Sequence, residues 1–294
     1  MNLLPFVVAG LVIGSVYALS GVGVLVLYRT TGVLNFAHGA IGGLAAMLAW
    51  QFIENGLPAS AAIALCVTIG AAVSLVFGVV AGPYLGRIDE LRKAVATLGF
   101  SLALLGLMLY LWNDKARRLL LPTSLTGFSV GNGEAHARVN LTQLICLTLA
   151  IVVVTGAALA LRYTAIGTAM RALASDRELA AVLGTSVRLV ENAAWAVSGA
   201  IAGISGVLVA DQTRLEPAFL TFLVIPELAA VVVGRFRSLG MTMVAGLVIG
   251  LVQSLVSSQP SITAFSTAVP FVIATVVILA GTRRRTVTIG VVRA

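Results

Sequence analysis

Asn35 and His38 stand three residues apart in the stretch TGVLNFAHGA, between two long apolar runs, and Glu227 stands alone in FLVIPELAAVVVG. An amide, an imidazole and a carboxylate can hold a polar solute, pass a proton or bind a metal. In apolar surroundings each costs free energy unless it is paired or used. A zinc site is disfavoured by number, because the only other histidine, His136, lies in a distant polar loop and no carboxylate cluster accompanies either one. Covalent catalysis also lacks its parts. Within the apolar runs there is no Gly-x-Ser-x-Gly, no His-Glu-x-x-His and no paired aspartates, which argues against an intramembrane enzyme. Neither lysine lies in a phosphate loop: Lys93 is in LRKAV and Lys115 in NDKAR, so the chain hydrolyses no ATP by that route. A carrier driven by protons or sodium would bury several ionisable groups in its spans; this chain offers Glu227 and His38.

The elements that must position these residues are membrane helices. Of the 294 residues, 59% are hydrophobic and 10% charged, with mean hydropathy +1.06, whereas a soluble domain carries about 25% charged residues. A span needs roughly 20 apolar residues. About nine runs approach that length, at 6–28, 34–53, 59–82, 94–112, 141–161, 191–210, 219–234, 239–257 and 264–281. The expected fold is an all-α polytopic membrane protein with about nine spans (eight to ten), residues 1–294 forming one domain. The seventh and eighth runs are short enough to form a re-entrant pair across 219–257. The first run lacks a basic leader region and is expected to stay as a span rather than act as a signal peptide. Cys66 and Cys146 lie inside runs and form no disulfide framework.

Counting positive charge sets the orientation. With the N-terminus outside and the C-terminus inside, only Lys115, Arg117, Arg118, Arg138 and Arg214, of 19 basic residues, face outward. The inner side then holds Arg29, Arg87, Arg92, Lys93, Arg162, Arg171, Arg177, Arg188, Arg235, Arg237, Arg283–Arg285 and Arg293. The formal charge of +8 therefore reflects topology and anionic lipid headgroups rather than nucleic acid. Two connections are long: 113–140, outside, and 162–190, inside.

In the inner one, Ser175 and Glu178 have the spacing of a capping box, and Gly184 stands where a left-handed helix stop is wanted. Between them a helix of about two turns, 176–183, would put Leu179, Val182 and Leu183 on one face, away from Asp176 and Arg177. So short a helix needs a partner. That partner is its own membrane domain, the headgroup surface, or a groove on a cytoplasmic protein. For Asn35 two readings also stand: a cap for the second helix, with Gly32 and Gly39 allowing close packing, or part of a broken element lining a solute path. Glu227 after Pro226 fits a helix start near the interface or a functional intramembrane carboxylate. The segment GLVIG occurs at both 10–14 and 246–250, with chance recurrence the simpler account.

The stretches TGVLNFAHGA and RALASDRELAAVLG, in that order, resemble the permease subunits of bacterial branched-chain amino acid ABC importers. LAAVVVGRFRSLGMTMVAGLVIG, Leu228–Gly250, is similar too, with Arg235 and Arg237 where that family has a glycine-rich turn. The resemblance implies an importer permease bundle in the bacterial inner membrane and no cofactor of its own, ATP being bound by partner subunits. It implies as partners a second permease, homologous or identical, two cytoplasmic ATP-binding subunits and an extracytoplasmic solute-binding protein that meets 113–140. It puts Asn35, Phe36, His38 and Gly39 on the substrate path, for which Glu227, as an intramembrane carboxylate, is a further candidate. Arg171, Ser175, Asp176, Glu178, Leu179, Val182, Leu183 and Gly184 become the ATPase-coupling element. The alternative is a stand-alone channel or facilitator for a small polar solute such as urea or an amide.

Overall fold

The computed structural model describes residues 3–86, 88–132 and 135–289; Arg87 and Arg293, counted above, lie outside them. In chain order the helices are α1 (Leu4–Thr31), α2 (His38–Glu54), α3 (Ala59–Leu85), α4 (Glu90–Trp112) and the short α5 (Pro122–Leu125). A hairpin, β1 (Gly127–Asn132) and β2 (Ala135–Asn140), precedes α6 (Leu141–Tyr163), α7 (Ala165–Ser175), α8 (Arg177–Val182) and α9 (Val187–Gln212). Then come α10 (Pro217–Phe222), α11 (Val224–Val233), α12 (Leu239–Ser257), a 3-10 turn (Thr263–Ala268) and α13 (Val269–Ile289). Among the described residues, seven helical stretches are long and apolar enough to cross a membrane: α1, α3, α4, α6, α9, α12 and Thr263–Ala280.

The remaining two apolar runs do not form plain spans. The run 34–53 enters its helix only at His38, leaving 17 residues in α2. The run 219–234 is broken at Leu223 into α10 and α11. Pro226 explains the break, because it has no N–H to offer the carbonyl one turn back. Of the two alternatives over 219–257, neither two plain spans nor a re-entrant pair is formed: α12 is a full-length helix of 19 residues, and the irregularity belongs to the run before it.

The expectation of an all-helical chain also needs one correction. β1 and β2 pair antiparallel, with Phe128 opposite Val139. In β1, GFSVG spells Gly-x-Ser-x-Gly in letters only, since it lies within a strand rather than on a strand-to-helix turn. Asn140 then starts α6 with a capping box: its Oδ1 accepts from Gln143 N at 2.9 Å, and Gln143 Oε1 accepts from Asn140 N at 3.1 Å. At the same end Arg117 and Leu215 exchange backbone hydrogen bonds of 3.0 and 3.1 Å, strapping the 113–125 segment over the start of α10.

Helices in lipid gain little from apolar burial and depend on close backbone approach. The two GLVIG copies provide it, and chance is not the whole account of them: they face each other across the antiparallel α1–α12 contact. A Cβ on Gly10 would lie 3.0 Å from the Gly250 carbonyl oxygen, and one on Gly14 2.9 Å from that of Gly246. α9 uses the same device on two sides. Its Gly199 meets Gly70 of α3, and its Gly206 meets Gly42 of α2. A side chain at Gly206 would run into the Gly42 backbone, so Gly206→Leu is expected to destabilise the bundle by on the order of 3 kcal/mol. A drop in the thermal midpoint of the detergent-solubilised protein would register it; an unchanged midpoint would contradict this packing.

The turn from α11 to α12 lacks the expected run of glycines yet adopts a backbone that favours them. Arg235 and Phe236 both have φ of 56°, a conformation costing about 1–2 kcal/mol for each such residue. Phe236 gains a ring contact with Tyr28 at 4.7 Å, and Arg29 donates to the Arg237 carbonyl at 3.2 Å.

Candidate functional site

α1 ends at Gly32, whose φ of +66° and N–H bond to the Tyr28 carbonyl make it a helix stop rather than the packing glycine expected from the sequence. The chain then turns back along α1 without helical structure. α2 begins with His38 opposite Gly23, where an added Cβ would lie 2.8 Å from His38 Cε1. Gly23 is about two turns before the end of α1, so the connection climbs back about 12 Å at 1.5 Å per residue. Asn35 is buried in this climb, its Oδ1 accepting from Ala37 N at 3.0 Å. It therefore stabilises the turn ahead of α2 and does not cap the helix itself, where no side-chain cap is present.

The start of α2 meets the break in the α10–α11 helix. A Cβ on Gly39 would lie 2.5 Å from the Thr221 carbonyl oxygen and 2.8 Å from Val224 N, so only glycine lets these two elements touch. Glu227 follows in the first turn of α11. The helix start inferred at Pro226 is present, but it lies beside the middle of α1, near Gly21, and not at the interface. Two interrupted helices thus bring their N-terminal ends together deep in the bundle, where their free amides favour anionic groups.

Around this junction lie three buried side-chain atoms with no hydrogen-bond partner: Asn35 Nδ2, His38 Nε2 and Glu227 Oε2. The other ends of the Asn35 and His38 side chains are engaged. His38 Nδ1 is 3.3 Å from Ser198 Oγ. Ser20 lies beside the Glu227 carboxylate, and its Oγ accepts from Ser205 Oγ at 3.3 Å. Tyr17 donates to Gln253 Oε1 at 3.2 Å. His38, Gly39 and Glu227 share a cleft with Tyr17, Ser205 and Gly206. It is closed down to about 10 Å³, room for about one water molecule. Phe36 stands apart: its backbone N–H donates to Thr97 Oγ1 of α4 at 3.3 Å, and the residue is half-buried.

The second group of residues lies at the end of the bundle where α1, α3 and α6 finish. Most of 162–190 is helical rather than loop, as α7, α8 and the first turn of α9. The capping box on Ser175 is not formed. Ser175 is the last residue of α7, and Asp176 is the cap of α8, its Oδ1 accepting from Glu178 N and Leu179 N, both at 3.0 Å. Aspartate is a strong cap and also favours the helix dipole, so it displaces the serine one position earlier. Asp176→Ala is expected to cost about 1 kcal/mol in α8 and Ser175→Ala much less, read as faster amide exchange over 177–183 in the first variant only.

Gly184 has φ of +88°, and the Thr185 N–H bonds to the Ala180 carbonyl at 3.0 Å, the glycine stop anticipated from the sequence. Ala180 is buried, whereas Leu179, Val182 and Leu183 are 56%, 84% and 76% exposed. The apolar face of α8 therefore has no partner within the described chain. Arg171, on α7, donates to the Arg162 carbonyl at 3.3 Å and takes no part in that face.

A model of the family described as branched-chain amino acid transport system / permease component matches residues 6–280. The chain belongs to this family. It is 25% identical over 286 residues to the high-affinity branched-chain amino acid transport system permease protein LivH of Salmonella typhimurium, covering 92% of this chain and 91% of the relative. It is 26% identical to the probable LivH permease of Methanocaldococcus jannaschii over 84% of this chain and 79% of the relative. The high-affinity BraD permease of Pseudomonas aeruginosa is 26% identical over 84% of each. This permease is a multi-pass membrane protein, a transport subunit of an importer, and the resemblance carried by TGVLNFAHGA and RALASDRELAAVLG extends over nearly its whole length. Sequence reasoning missed Ser20, Tyr17, Ser198 and Ser205. They are small or amphipathic residues inside apolar helices, and nothing but the fold brings them to the cleft.

Proposed function

We propose that this permease is one half of the membrane-spanning part of an ABC importer for leucine, isoleucine or valine in a bacterial inner membrane. It pairs with a second permease, homologous or identical. Two cytoplasmic ATP-binding subunits drive it and an extracytoplasmic solute-binding protein delivers cargo. The observation that carries this reading is the exposed apolar face of α8, held out on a capped helix and anchored through Ala180. It stands at the end of the bundle that holds Arg29, Lys93, Arg162, Arg171, Arg235 and Arg237, the positive and therefore cytoplasmic side. ATP-driven closure of the engine subunits moves α8, and the spans rock between outward and inward access. The junction of α2 with α10–α11 supplies polar groups to the solute on its way.

The purified chain combined with its partner proteins in liposomes is expected to accumulate leucine only with ATP, and the chain alone to accumulate nothing. Gradient-fed uptake by the single polypeptide would overturn the reading in favour of a facilitator. Sidedness has its own test. A cysteine at Val182 should react from the cytoplasm and one at Leu120, 59% exposed, from outside. The opposite labelling pattern would invert the topology.

A further inference from the structure

α8 touches the rest of the chain through few side chains, and one of them is charged. Arg177, its first residue, reaches past the end of α3, where a Cβ on Gly86 would lie 2.6 Å from Nη1. Its Nη2 is 2.8 Å from Glu191 Oε1 on α9. The pair is unequal in exposure: 45% for the arginine side chain and 13% for the glutamate. Losing the arginine would strand a largely buried carboxylate.

What lies above Glu191 on α9 gives the pair a meaning beyond anchoring. Positions three and four apart share a helix face, and Glu191, Trp195, Ser198, Ala202 and Ser205 follow that spacing. Trp195 fills the notch left by Gly78 of α3, packs edge-on to Phe77 at 5.4 Å and has its carbonyl bonded by Ser74 at 2.7 Å. Ser198 contacts His38 Nδ1. Ala202 and Ser205 line the cleft itself. From Glu191 to Ser198 is about 10 Å of continuous helix. Trp195, Ser198, Ala202 and Ser205 each pack on or hydrogen-bond to α1, α2 or α3, and a continuous helix packed in this way transmits a displacement instead of absorbing it.

We propose that the Arg177–Glu191 ion pair is the joint through which movement of α8 is passed to α9 and, along that single face, to the polar cleft at His38. Arg177 and Glu191 are positioning residues: neither touches the solute. The inference rests on α8 being where the ATPase subunits dock. Without the pair, the engine subunits still bind and turn over ATP, but α9 no longer follows α8.

The test is the ratio of leucine imported to ATP hydrolysed, per assembled complex in liposomes, for Arg177→Glu, Glu191→Arg and the exchanged double variant. Each single change is expected to lower the ratio at least ten-fold while the ATPase subunits still co-purify, and the double variant to recover to within about three-fold of the parent. Glu191→Gln, which keeps the shape and removes the charge, should lower the ratio as well, and it carries the test where a charge reversal fails to assemble. Arg188→Ala is the control: it borders the same crevice as Arg177 and Glu191 and is outside the pair, so its ratio should stay at the parent value. Unchanged ratios in Glu191→Gln and in the assembled single reversals would overturn the proposal, as would an assembled double variant no better than its parents. Loss of the ATPase subunits from the unmodified complex is a different failure, that of the docking reading itself, and would remove this inference with it.

Discussion

Changing Val182 and Leu183 together to aspartate is expected to leave the permease folded in the membrane and to abolish uptake. Both side chains are mostly in solvent, at 84% and 76% exposure, and neither is needed to hold α8, which is anchored through Ala180 and started by Asp176. Exposed substitutions of this kind shift stability by no more than about 0.5 kcal/mol. Covered by a partner, each apolar side chain would contribute about 1.5–3 kcal/mol, and the aspartates would add the cost of burying charge. Losing about 3 kcal/mol or more weakens association at least about 100-fold. Co-purification of the ATPase subunits should therefore fail and uptake fall to background, while membrane yield and thermal midpoint stay at the parent value. Unimpaired uptake would remove α8 from the coupling role. Gly184→Pro should have a similar outcome for a different reason. Proline cannot adopt φ of +88°, so the stop that sets the orientation of α8 is lost.

Replacing Glu227 by methionine, or His38 by leucine, is expected to move stability and activity in opposite directions. Glu227 Oε2 and His38 Nε2 are buried without partners, and such an atom costs about 1–3 kcal/mol. Were these side chains present for folding alone, apolar replacements of similar volume would be neutral or stabilising and transport would persist. If they serve the solute, the thermal midpoint holds or rises while maximal uptake falls at least ten-fold. On the proposed reading the apparent affinity should change little, since a separate solute-binding protein would set it. Measuring both quantities on the same assembled complex separates the two roles; full transport with a raised midpoint would reduce the cluster to packing.

The parts of this molecule that could be read from sequence are those in which a local rule and the tertiary fold agree. Long apolar runs became long helices because lipid leaves the backbone little other choice. Asn35, His38 and Glu227 were conspicuous because polar groups in such runs demand an explanation, and the fold brings His38 and Glu227 to one cleft with Asn35 in the turn just before it. The stop at Gly184 followed from its conformational freedom. Where two local rules competed, the sequence was ambiguous. Ser175 and Asp176 are both good caps, and Asp176, whose charge also suits the helix dipole, is the one that caps α8. The break at Leu223 and the climb from Gly32 to His38 were hidden for another reason: hydropathy averages over a span and is blind to a non-helical segment buried among neighbouring helices. The hairpin at 127–140 has too few residues for its alternation to stand out. Glu191, read as the edge of a span, becomes meaningful only when α8 places Arg177 beside it.

The facing of Gly10 and Gly14 on Gly250 and Gly246 has a consequence for biogenesis. The helix α1 (Leu4–Thr31) has its most intimate neighbour in α12 (Leu239–Ser257), made much later in the chain. At about 5–20 residues per second, α1 must wait on the order of 10–50 s before α12 exists to receive it. During that interval its glycine-lined flank is open to lipid, to the insertion machinery and to other nascent chains. Translation halted before α12 would therefore release a species that quality-control proteases can distinguish from the finished bundle by that uncovered flank.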